Sequence, residues 1–247
     1  MVQAPQRAAL GGAPLVRLLA RLADVDIPES GQSLSDRLSQ WLGWTDAIAL
    51  STALNGNPPA PASGVRGEGR DEAKLCAQVR SSLTKAIVGD SAFASNRRDG
   101  RAPLRAQEAP VDEAAGYPVF RQRYVSLQQV METEIGTLRG RLRALLAGRP
   151  RGMARLAMVD AVMERALAAR EQSLFATVPV WLAGHFERLR QAELQRLAGA
   201  EASQDAPTIT PGAWLDVFRK DMQSVLLAEL EVRFQPVAGL LAALRAS

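Results

Sequence analysis

One histidine, His185, and one cysteine, Cys76, occur in 247 residues. These scarcities exclude much chemistry. A lone cysteine allows no intrachain disulfide, and a metal site built from several imidazole or thiolate ligands is excluded by count. Any Ser–His–acid triad or Cys–His dyad would have to use His185. It stands in "WLAGHFERL" with no flanking nucleophile pattern. Cys76, in "KLCAQV", reads as a small buried hydrophobe on a helix. No cofactor is expected.

Aromatic residues are sparse as well, at 5%, and strand formers never cluster; "TVPV" and "IVG" come nearest. Little or no sheet is therefore expected. No run of about 18 uncharged apolar residues exists, so no segment is expected to span a membrane. The apolar run from Ala8 to Val16 contains two glycines and a proline, with Arg17 and Arg21 after it, and does not read as a secretory signal. The cytoplasm is the expected location. Lysine is nearly missing, 3 against 27 arginines. That bias fits a GC-rich genome or an Arg-rich nucleic-acid binder.

What remains is a helix-forming mixture. Hydrophobic residues make up 47% and charged residues 23%, a globular composition. Abundant Ala, Leu and Arg lose little on entering a helix. The net charge is +4. Residues 1–116 carry 13 basic and 13 acidic side chains, and residues 117–247 carry 17 and 13, so the second half supplies the whole excess.

The expected fold is all-α: an N-terminal cluster of short helices, then an antiparallel long-helix bundle. Residues 1–56 form the N-terminal segment, with helices at Pro14–Ala23 and Ser33–Leu54; Ser33 and Asp36 give the second a capping-box start. Residues 57–70 read as a flexible linker, 71–89 as a helix and 90–116 as an irregular loop. The bundle covers 117–247. Its first helix runs to Ala147. Phe120, Tyr124, Leu127, Met131, Ile135, Leu138, Leu142 and Leu145 make a coiled-coil-like stripe with one extra residue at the Met131–Ile135 step. After a break at "GRPRG" (148–152), a second helix carries Leu156, Val159, Met163, Ala166/Leu167 and Leu174 on one face. A third starts at "TVP" with Leu182, Phe186, Leu189 and Leu197. Thr210 caps the closing helix, with Pro211 in its first turn and Ile209 stapled onto Trp214. Met222, Leu226, Leu230, Phe234, Val237, Leu241 and Leu244 form its stripe, which reads as a core face or as a seam for a partner. Pro236 removes the bond to the Val232 carbonyl and is expected to kink it.

Motifs for chemistry are scarce. Glu132/Glu134 and Asp160/Glu164 are the nearest carboxylate clusters, each with Arg within about a turn, and read as helix ion pairs. "GVRGEG" (64–69) lacks both a preceding strand and a GK[ST], so it reads as loop. "PLVRLLARLA" (14–23) is a short amphipathic helix expected to pack on the domain. The run "RGRLRALLAGRPRGMAR" (139–155) holds six arginines and no acid. It reads either as a helix C-terminus suited to the macrodipole or as an anion patch of Arg139, Arg143, Arg149, Arg151 and Arg155 for phosphate, nucleic acid or lipid head groups. Trp41 and Trp44, three residues apart, fall on one face of the predicted helix. They are either anchors to the bundle or partner-binding residues.

Two stretches, "QSLSDRLSQWLGWTDAIALSTALNG" (32–56) and "WLDVFRKDMQSVLLAELEVRFQPVAGLLAAL" (214–244), resemble an uncharacterised proteobacterial family catalogued as a domain of unknown function. Trp41, Trp44, Asp46 and the Gln235–Pro236 step carry the resemblance. They are signature residues, and no active-site residue comes with them. The resemblance implies neighbours similar to MotA/TolQ-type proton-channel subunits and OmpA-type peptidoglycan-binding proteins. It thus implies a cytoplasmic accessory of an ion-driven envelope complex. The expected function is a non-enzymatic protein–protein adaptor, with a protein partner and possible self-association. Nucleic-acid or anion binding through residues 139–155 is the first alternative, and an enzyme with an unrecognised site the second.

Overall fold

A computed structural model describes residues 13–26, 31–56, 69–93, 116–201 and 212–246. Among them are seven α-helices and no strand. They are α1 (Pro14–Ala23), α2 (Leu34–Trp41), α3 (Trp44–Asn55), α4 (Gly69–Val88), α5 (Tyr117–Ala147), α6 (Arg151–Glu201) and α7 (Ala213–Ala246), with a 3-10 turn at Ser91–Phe93. The chain is all-α, as expected. The predicted linker at 57–70 and loop at 90–116 lie mostly outside the described residues, as do Ile209, Thr210 and Pro211.

Cross-helix bonds fix the topology. Tyr117 reaches Pro179 and Arg139 reaches Asp160, so α5 and α6 are antiparallel. His185 pairs with Asp221, and Arg233 lies over Phe175, so α6 and α7 are antiparallel too. Glu72–Arg141 and Arg80–Glu231 set α4 antiparallel to both α5 and α7. The parallel pair α5/α7 thus lies between α4 and α6. Helix α1 packs on α6 and α7, and α3 packs on α6.

The apolar stripes read from the sequence meet along this α5/α7 seam. Phe120, Tyr124, Leu142, Phe218, Met222, Leu226 and Val237 are fully buried. The closing-helix stripe is therefore a core face. Burying seven side chains of this size contributes roughly 1.5–3 kcal/mol each before chain entropy is charged against it. Both stripes drift by one residue near their ends. Leu146 and Leu240 are buried, while Leu145 and Leu241 are half-buried. Phe120, Phe186, Phe218 and Trp214 gather at one end, with Phe186 and Phe218 edge-to-face at 4.9 Å. Cys76 is buried, and burial followed by the nearby Glu72 raises its thiol pKa.

Three expectations are corrected. The helix predicted over Ser33–Leu54 is two helices. Ser33 and Asp36 cap α2 reciprocally, as expected. Leu42 and Gly43 then turn extended, and the Asp46 carboxylate accepts the Gly43 N–H at 3.3 Å to start α3. Glycine at this point weakens the helix, and the Asp46 cap sets a new start.

The break predicted at "TVP" does not occur; α6 runs 51 residues through Pro179. Proline strips the Phe175 carbonyl of its helical donor. The side-chain amide of Gln128 replaces it at 3.2 Å. The Thr177 hydroxyl donates to the Leu174 carbonyl at 2.6 Å, and the Tyr117 hydroxyl donates to the Pro179 carbonyl.

The face predicted for the first half of α6 is displaced. Leu156 and Leu174 are exposed, and Leu197 near the end of the helix is exposed as well. Buried instead are Ala154, Ala157, Val162, Phe175 and Val178. The side toward α5 is partly given to Asp160 and Glu164, which ion-pair there, so apolar spacing alone misplaces it.

Candidate functional site

The only carboxylate with no exposed surface among the described residues, Glu229, lies in the middle of the α5/α7 seam. It accepts from the Tyr124 hydroxyl at 2.7 Å, from the Gln128 amide at 2.9 and 3.0 Å, and from Arg233 Nε at 2.8 Å. Burial, then Glu229, pushes the Tyr124 pKa well above the usual phenol value. A buried charge is tolerable only with such company. Arg233 also stacks on Phe175, its guanidinium carbon 3.9 Å from the ring centroid. Arg233 then opens into a cleft of about 590 Å³ between α5 and α6, lined by both Pro179 and Pro236.

A second concavity, of about 560 Å³, lies on the other side of Pro236, between α1, α6 and α7. Its walls are apolar, including Val16, Val25, Leu174 and Trp181, all exposed. Arg170 and Glu171 stand at it. Trp41 closes one side, with Arg170 over its ring at 4.5 Å.

One family description matches the chain over residues 1–246: Protein of unknown function (DUF3348). The chain belongs to the DUF3348 family. No curated protein and no solved structure matches it.

The DUF3348 residues that carried the resemblance fall into three structural roles. Asp46 caps α3. Trp41 and the Gln235–Pro236 step line the apolar concavity. Trp44 is 81% exposed at the start of α3. The two tryptophans thus belong to different helices, because the chain turns at Leu42–Gly43, and they do not share a face.

The arginine run is dispersed. Arg139 and Arg143 both reach Asp160 and Glu164 across the α5/α6 contact, with Arg139 bidentate to Asp160 at 2.7 and 2.9 Å. Arg141 points the other way, bidentate to the buried Glu72 at 2.8 and 2.9 Å on α4. Arg139, Arg141 and Arg143 are therefore charge-compensated cross-helix ties. Arg151 is exposed at the turn, Arg149 half-buried beside it, and Arg155 half-buried one turn into α6 with its Nε unbonded.

His185 Nε2 lies 2.9 Å from Asp221 Oδ2, beside the Phe218 ring. Among the described residues no serine, threonine or cysteine shares a hydrogen bond with either. Among the described residues no group of three His, Cys, Asp or Glu side chains gathers as a metal set. No described helix is long and apolar enough to cross a membrane.

Sequence reasoning missed Gln128, Phe175, Glu229 and Arg233, and also Leu174 and Trp181 as surface residues. Two signals pointed to the buried cluster. Tyr124 in a core stripe needs a partner for its hydroxyl. A proline inside a long helix needs a donor for the carbonyl four residues earlier.

Proposed function

We propose that this DUF3348 chain is a non-enzymatic adaptor whose concavity between α1, α6 and α7 receives an amphipathic helix of a partner protein. The observation that carries this reading is the exposed apolar rim of that concavity. Leu174 is 58% and Trp181 44% exposed, and the groove is also lined by Val16 of α1 and by Val25 just beyond its end. Large apolar side chains around a concave groove are a protein-binding signature. Trp is also enriched among residues that dominate binding energy.

The charge of the rim bears on the partner. Arg170 stacks on Trp41 and makes no ion pair among the described residues, so an acidic residue beside the partner's apolar face complements it. Pro236 leaves the Val232 carbonyl without its helical donor at the same wall.

The family resemblance supplies a class of partner. A cytoplasmic helix of a MotA/TolQ-type subunit fits this chemistry, and the chain would then be a cytoplasmic accessory of an ion-driven envelope complex.

A Leu174→Glu, Trp181→Glu double variant tests the reading. Both side chains are exposed, so helical circular dichroism and the melting point should stay near wild type. Site-specific photo-crosslinking from position 174 should capture the MotA/TolQ-like subunit in the native cell, and the double variant should no longer bind it. A folded double variant that still binds would refute the groove as the docking site.

A further inference from the structure

We infer that the cleft between α5 and α6 is a binding site for a small monocarboxylate with an apolar body, with Arg233 as its anchor. This rests on a different concavity from the partner groove and does not depend on the adaptor reading.

Arg233 is placed as a receptor for an anion. Its side chain is 10% exposed. Its Nε–H is committed to Glu229 at 2.8 Å, and its plane is held against Phe175. The two terminal amino groups find no acceptor among the described residues, and Arg233 lines the cleft. Those groups form the fork that matches a carboxylate with two parallel hydrogen bonds. Glu229 is fully buried and already accepts from Tyr124, Gln128 and Arg233. It therefore orients the guanidinium without filling the cleft.

The walls select what accompanies the carboxylate. Met131, Ile135, Phe175, Pro179 and Pro236 give the apolar surface. Gly136 and Ala168 keep the cleft wide, and nothing lies within 4 Å of a Cβ built on Gly136. Its volume of about 590 Å³ is in the range of small-molecule sites. The remaining charges are polarised along it. Arg121 lies toward the Pro179 end. Glu132, Glu164 and Glu171 lie toward Arg139, which touches Glu164 at 3.4 Å. Glu132 and Glu171, which hold no ion pair among the described residues, repel a second negative charge on the ligand, so a dianion is disfavoured.

The test uses the full chain with phenylacetate as probe, phenylacetamide as its neutral counterpart and inorganic phosphate as the bare anion, by titration calorimetry. Phenylacetate should bind saturably at one site, and phenylacetamide and phosphate each roughly tenfold or more weaker. Gly136→Phe should fill the cleft, abolish phenylacetate binding and leave the melting point at or above wild type. Arg233→Lys keeps a positive charge beside Glu229 while removing the fork, and should weaken binding roughly tenfold. Absence of saturable phenylacetate binding would overturn the inference. So would equal binding of phenylacetamide, or unchanged binding in folded Gly136→Phe.

Discussion

Gln128 on α5 donates its side-chain amide to the Phe175 carbonyl on α6, the group that Pro179 deprives of its helical partner. A residue on one helix thus completes the backbone of another. The same amide bonds Glu229 at 2.9 and 3.0 Å, so one side chain serves all three long helices. Gln128→Leu should cost about 2–4 kcal/mol, since it strips a buried carboxylate and a buried carbonyl of a donor. Pro179→Ala restores the backbone N–H at position 179. In that background the Gln128→Leu loss should shrink by about 1 kcal/mol, because the Phe175 carbonyl regains its own donor. Urea denaturation of the four chains of this double-mutant cycle gives the coupling. Strict additivity would show that the Gln128–Phe175 bond carries no energy.

Glu229 and Arg233 make the second test. Arg233→Met should destabilise by about 3–5 kcal/mol, because it leaves a fully buried carboxylate short of its charge partner. Adding Glu229→Met should return much of that loss, since an apolar pair of similar volume removes both desolvation terms. Thermal melts of the single and double variants decide this. A double variant less stable than Arg233→Met alone would mean that Tyr124 and Gln128 depend on the carboxylate more than the ion pair does.

The class of fold and most of the core were legible in the sequence because they follow from apolar spacing. Phe120 through Leu142 and Met222 through Val237 recur at steps of three or four residues and bury as the spacing implies. The middle of the protein was not legible, for two reasons. Pro179 acts as a helix breaker in sequence, whereas Gln128, far from it along the chain, supplies the missing donor. Asp160 and Glu164 read as local ion pairs, whereas their partners Arg139 and Arg143 come from α5. In both cases a polar tie across helices overrides a rule that considers one helix at a time. Both concavities lie beside such sites, which is why neither was visible from apolar periodicity.

Trp41 and Trp44 should behave differently from each other. Trp44 is 81% exposed, so Trp44→Ala should shift stability by no more than about 0.5 kcal/mol. Trp41 carries Arg170 on its face at 4.5 Å, so Trp41→Ala should cost about 1–2 kcal/mol through the lost cation–π contact and packing. The double variant should remain folded, because neither tryptophan is in the buried core. Guanidinium titration of the three variants measures this, and a double variant that unfolds would place both rings in the core.

Alkaline pH should unfold the protein through its two tyrosines. Burial raises Tyr117 to about 12, against the opposing effect of Arg121. Burial and then Glu229 push Tyr124 well above the ordinary 10.0. The folded pKa values therefore lie above the unfolded ones. Below pH 10 both states hold the phenolic protons and this contribution to stability is fully present. From 10 toward 12 the unfolded chain releases protons that the folded chain keeps, so the folded state binds more protons and stability must fall with pH. Tyr124 extends the fall, because ionising it beside the Glu229 carboxylate sets two negative charges within 2.7 Å. Denaturant midpoints measured at rising pH should decline over this window, with tyrosinate absorbance appearing together with the loss of helical circular dichroism. Tyr124→Phe should lower stability at neutral pH by removing the bond to Glu229, yet make the alkaline decline shallower. Tyrosinate absorbance that develops fully near pH 10 while the helices persist would show that neither phenol is protected by the fold.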